Sequence, residues 1–96
     1  MILGETSRSK PELSTYDGSL IVEQLIDWII ELDKYFEYDE IAEDKRVRLA
    51  VTRLKGHASL WWDSVQEERR RKNKSLITRW DRMVAKMMAK FLPKYY

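Results

Sequence analysis

The stretch Leu54-Lys55-Gly56-His57-Ala58-Ser59-Leu60-Trp61-Trp62 constrains this chain more than any other: a glycine stops one helix and two adjacent tryptophans ride on the start of the next. Successive side chains on an α-helix stand about 100° apart. Trp61 and Trp62 therefore join Ala58 and Val65 in a broad apolar stripe at i, i+3, i+4 and i+7. In a chain of 96 residues, so large an apolar commitment must be buried or used for binding. Aromatic side chains each bury a large area, so at least one ring is expected in the core. The other would line a groove for a peptide or a neighbouring subunit.

Helical spacing continues on both sides of this phrase. Val22, Leu25, Ile26, Ile29, Leu32 and Phe36 recur with helical period over Leu20 to Phe36, with Ile21, Trp28 and Tyr35 as an adjoining seam and Ile30 as a further apolar residue. That face is wide enough to predict a helix that is central or partly buried in an oligomer. Ser19 is its expected N-cap. A second helix is predicted to start within Ile41 to Asp44, where clustered acids suit the positive end of the helix dipole, and to carry Val47, Ala50, Val51 and Leu54 inward. Gly56 is expected just past its end in the left-handed conformation. The third helix is expected over Ala58 to Arg69. Arg69-Arg70-Arg71-Lys72-Asn73-Lys74-Ser75 then holds five cations in seven positions, and crowded like charge predicts a frayed end and a solvated loop. Thr78 and Asp81 read as a capping pair for a fourth helix. Its stripe is Trp80, Met83, Val84, Met87, Met88 and Phe91, and Pro93 stops it.

Residues 1–15 are polar, lack an apolar period and are expected to form an extended leader; residues 16–96 are read as one helical domain. Gly 3 and Pro 2 leave few turns. The predicted fold is all-α, a small irregular bundle of about four helices, with Leu25, Ile29, Phe36, Val47, Leu54, Trp61, Val65, Trp80, Val84 and Phe91 at core positions.

Tyr16-x-Gly18, then Trp28 and Phe36, then Leu54-x-Gly56-x-Ala58-x-x-Trp61-Trp62, then Trp80 and Phe91-x-Pro93 form an ordered series. It resembles the gag domain of Ty3/gypsy-type retrotransposons, from about Pro11 to Tyr96. The resemblance implies a capsid N-terminal domain, a non-enzymatic building block that associates with copies of itself through weak contacts made many times. A family member would continue past Tyr95-Tyr96 into a C-terminal capsid domain. An alternative is a captured gag-derived adaptor that binds a host protein or peptide, or that interferes with assembly of full-length gag. Candidate contact residues are Ile21, Trp28, Ile30, Tyr35, Trp61, Trp62 and Trp80.

The chemistry-bearing residues are few. With no cysteine and one histidine, His57, and no glycine-rich phosphate loop, no catalytic, cofactor or metal site is expected. Glu23, Asp27 and Glu31 repeat at i, i+4 and describe a solvated acidic ridge. No apolar run reaches membrane-spanning length, and Met1-Ile2-Leu3 is too short for a signal peptide. An intracellular, cytoplasmic place is expected, with the nucleus left open.

Charge is unevenly placed. Residues 1–68 carry 8 Lys+Arg against 15 Asp+Glu, net −7, and residues 69–96 carry 10 against 1, net +9. Laying the last helix across the first would neutralise both within one chain, and that arrangement is preferred to head-to-tail contact between chains. Arg69, Arg70, Arg71, Lys72 and Lys74 are weak nucleic-acid candidates, expected to bind without sequence preference because no aromatic residue interleaves the run. A solvated loop is the preferred reading of the same residues.

Overall fold

A computed structural model, describing residues 12–94, consists of four helices. They are α1 (Val22–Tyr38), α2 (Glu43–Val51), α3 (Gly56–Arg71) and α4 (Trp80–Phe91). Among the described residues the β-type pairing is an isolated bridge between Tyr16 and Leu54. The all-α expectation holds, while several boundaries differ for reasons visible in the hydrogen bonding.

α1 begins later than Leu20, and its N-cap Ile21 makes no side-chain cap. Ser19 serves the preceding loop instead: its N–H donates to Asp17 Oδ1 (3.0 Å) and its Oγ accepts the Ile21 N–H (3.1 Å), a local competition typical of Ser and Asp. α1 closes with a Schellman arrangement in which Glu40 takes φ +51° and the Ile41 N–H reaches the Phe36 carbonyl (2.9 Å).

α3 closes the same way. Asn73 takes φ +57°, Lys74 N–H donates to the Arg69 carbonyl (2.8 Å) and Asn73 N–H to the Arg70 carbonyl (3.1 Å). The predicted fraying is therefore absent. The helix runs through Arg71 because acids one turn back neutralise the crowd: Arg70 pairs with Glu67 (2.7 Å), and Glu68 takes Arg71 (2.7 Å) and Lys72 (3.0 Å). The Lys72 ammonium first, and then Arg71, holds the Glu68 carboxyl below its usual range.

Gly56 does take a positive φ, +52°, but it opens α3 instead of closing α2. α2 ends at Val51, and the Arg53 and Leu54 N–H groups turn back onto Ala50 (2.9 Å) and Val51 (3.1 Å). This frees the Arg53 carbonyl and the Lys55 N–H to pair with Tyr16 (2.9 and 3.0 Å), and Ala58 N–H to reach the Asp17 carbonyl (3.3 Å). Leu54 is buried through that pairing and not through a longer helix.

The Thr78–Asp81 cap is also absent: α4 has Arg79 at its N-cap with no side-chain cap, and Asp81 accepts both Nε and Nη2 of Arg79 (3.1 Å each). The Trp80 N–H is met from another helix, by Glu43 Oε2 of α2 (2.8 Å).

The core is a chain of aromatic contacts. Phe36 meets Trp80 (centroids 5.0 Å), Trp80 meets Trp28 (6.1 Å), Trp28 meets Tyr16 (6.0 Å), Tyr16 meets Phe91 (5.4 Å), Phe91 meets Trp61 (5.1 Å) and Trp61 meets Trp62 (5.7 Å). Leu25, Leu32, Ala50, Ala58, Met83 and Met87 fill the space around the rings. Of the expected core residues, Trp61, Val65 and Val84 are only partly buried. Buried indole N–H groups find acceptors, Trp28 Nε1 on the Ser14 carbonyl (2.9 Å) and Trp80 Nε1 on Asp33 Oδ1 (3.1 Å), as desolvated polar groups require.

The described part of the leader, residues 12–15, is docked. Leu13 packs against the core, its carbonyl accepts Arg53 Nη2 (2.7 Å), and Ser14 N–H donates to Glu31 Oε2 (3.0 Å). The remainder of the expected extended leader, and Tyr95-Tyr96, lie outside the described residues.

Candidate interaction surface

Burial divides the expected contact residues. Trp28, Tyr35, Trp62 and Trp80 are buried within the chain, which removes them from the free surface and corrects the reading of Trp28 and Tyr35 as an outward seam. The docked segment around Ser14 and Tyr16, together with Trp80 of α4, covers that side of α1. Ile21 and Ile30 remain 55% and 47% exposed, beside Leu20 at 78%, and Trp61 is partly buried.

Helix geometry puts Ile30 on the outer face of α1 with Glu23, Asp27 and Lys34 at i−7, i−3 and i+4, all exposed. The opposite face of α1, through Leu25, Ile29, Leu32 and Phe36, is the buried one.

The expected neutralisation of the acidic front by the basic back does not occur among the described residues. Their ion pairs are Arg46–Glu37 (3.8 Å), the three within α3 and its end, and Arg79–Asp81 (3.1 Å). None joins an acid of α1 to a cation of α4. The reason is geometric: α4 turns its Trp80, Met83, Met87 and Phe91 stripe inward, which leaves Arg82, Lys86 and Lys90 exposed. Those charges stay available to a partner.

Three hollows have distinct chemistry. One, of about 360 Å³, lies between the docked segment and α1 and gathers Asp17, Asp27 and Glu31 with Lys55. A second, of about 470 Å³, lies between α2 and α3 under Leu76 and Ile77, with Val47, Val51 and Trp62 at its apolar wall. Gln66 holds its lid, its amide exchanging two hydrogen bonds with the Ile77 backbone (3.0 Å each). A third, of about 390 Å³, lies between α3 and α4 and brings Trp61 and Val65 to Arg69, Lys72, Lys74 and Lys86. The basic run therefore does have an aromatic neighbour, contrary to the expectation from its own sequence. Trp61, Val65, Arg69 and Lys72 lie at i, i+4, i+8 and i+11, one stripe of a helix. Carrying the helical period past Arg69 would have revealed it.

Among the described residues no group of three or more His, Cys, Asp or Glu side chains could hold a metal ion, and no helix is long and apolar enough to cross a membrane. His57, in the first turn of α3, is exposed.

The sequence that carries these landmarks has a counterpart among known families. The N-terminal capsid-like domain of the retrotransposon-derived protein PEG10 is the family whose sequence model matches, over residues 10–92. This chain belongs to that family. No curated protein and no solved structure matches it.

Within this retrotransposon-derived, capsid-like domain the landmarks have one structural meaning. Tyr16, Trp28, Phe36, Trp61, Trp62, Trp80 and Phe91 sit in one chain of rings, and Gly18 and Gly56 allow the loop that crosses it to close. The aromatic landmarks of the capsid-like domain thus build its core, with Trp61 alone among these rings only partly buried at its edge. Burial, aided by Asp17, pushes the Tyr16 hydroxyl up to about 12, so it stays a donor to the Ser19 carbonyl (2.6 Å).

Proposed function

We propose that this domain is a non-catalytic structural module of Ty3/gypsy-type gag descent, acting inside the cell, that self-associates through the outer face of α1. The observation that supports this reading is Ile30, 47% exposed on a face that no other element of the described chain covers. Two α1 helices crossing antiparallel near Ile30 would set Asp27 of each copy beside Lys34 of the other. Such a contact is isologous, so each favourable pair is made twice. It is also small, and a module of this kind relies on repetition of weak contacts.

Light scattering on size-exclusion fractions over a wide concentration range tests it. The parent chain is expected to form dimers or larger species, Ile30→Glu to stay monomeric, and Asp27→Lys to weaken association until Lys34→Asp is added. A parent that stays monomeric at every concentration defeats the proposal.

The apolar hollow beneath Leu76 favours a second reading, an adaptor that takes a host peptide between α2 and α3. That reading calls for a stable monomer.

A further inference from the structure

The hollow between α3 and α4 lies away from the α1 face that self-association would use. We infer that Trp61 and the cations around it form a track for single-stranded nucleic acid. Lys74 and Lys86 form no ion pair among the described residues, and Arg69 spends only its Nε, on the Ser75 carbonyl (2.6 Å). A smaller hollow of about 190 Å³ shares Arg69 and continues the positive surface to Arg82, past Arg79, which Asp81 already pairs. The two hollows meet at Arg69, so the cations follow a path and not a single point, which suits a chain of phosphates.

The aromatic member decides the kind of polyanion. Trp61 is held by Phe91 (5.1 Å, edge-on) and Trp62 (5.7 Å) and still lines the hollow. A base free of its neighbours can lie against a fixed ring, and such stacking accepts any base. A duplex hides its bases, and an acidic peptide satisfies the cations while leaving the ring unused. The carbonyls at the end of α3, which would repel phosphate, are already occupied by the Asn73 and Lys74 N–H groups. Glu68, an acid in the hollow, is engaged by Arg71 and Lys72.

The test is fluorescence anisotropy of a labelled oligouridylate of about twelve nucleotides with the 96-residue chain, at dilutions where self-association is absent. With about five cations engaged, the logarithm of the affinity should fall with the logarithm of salt at a slope near −3.5. Lys74→Ala with Lys86→Ala, both exposed, should weaken binding about tenfold or more and flatten the slope by about 1.4. A duplex of equal length should bind about tenfold less tightly, and Trp61→Leu, checked for folding by circular dichroism, should lose about tenfold. Absence of binding at low salt, indifference to the double substitution, or equal affinity for the duplex overturns the inference. Equal affinity for a polyglutamate of the same charge overturns it too, in favour of an acidic protein partner.

Discussion

Gly18 and Gly56 carry the same type of backbone conformation for different reasons. At Gly18, φ is +97° and a Cβ would stand 3.0 Å from His57 Cβ and 3.2 Å from the Ala58 nitrogen. Strain and collision with backbone coincide there. At Gly56, φ is +52° and the nearest atoms to a Cβ are 3.9 Å away, on Asp17, so only the conformational cost remains, about 1–2 kcal/mol. Urea unfolding should therefore rank the two: Gly56→Ala is expected to lose about 1 kcal/mol and Gly18→Ala at least about 2 kcal/mol. Equal losses would mean that the approach of Gly18 to the start of α3 is not a tight constraint. The sequence singles out both glycines, but it places Gly56 on the wrong helix. Nothing local says that residues 53–55 leave the helix to pair with Tyr16.

At the scale of elements, α1 and α3 close with local hydrogen bonds, while the start of α4 is held by a group that local rules do not find. α4 has no cap of its own; the carboxylate of Glu43, 37 positions away, supplies one (2.8 Å). A carboxylate there meets both a free N–H and the positive end of the helix. Glu43→Ala should destabilise the domain by about 1–2 kcal/mol, and hydrogen exchange should speed up first in the opening turn of α4. Exchange that speeds up evenly along the chain would argue against a local cap. The same helix shows how a correct period coexists with a missed partner. The stripe from Trp80 to Phe91 is legible because helical spacing is a property of the segment alone.

For the whole molecule, the chain of rings from Phe36 to Trp62 links all the helices except α2 with the Tyr16 segment, while Val47 and Ala50 bring α2 to the same core. Trp62 is buried and Trp61 is only partly so. Trp62→Ala is therefore expected to cost about 3–5 kcal/mol, close to the whole stability of a small domain, with Trp61→Ala costing less. Thermal melts followed by circular dichroism give the order, and a reversed order would place the wrong indole at the centre. The charge halves follow from the same packing: with the α4 stripe turned inward, its cations face outward, and the molecule keeps an acidic hollow and a basic one.

Sequence alone determined the helical class, the approximate helix spans and the ordered aromatic landmarks of the capsid-like family, because each is written in local spacing and residue type. It also marked Ile21, Trp28, Ile30 and Tyr35 as surplus to the core, and of these Ile21 and Ile30 are exposed. Tertiary structure decided which side of α1 faces solvent, that Trp28 and Tyr35 are core, that Glu43 caps α4, and that Lys86 of α4 comes to the hollow beside Trp61. Those outcomes depend on segments far apart in the chain meeting in space. Packing then chooses among faces that local periodicity leaves equivalent.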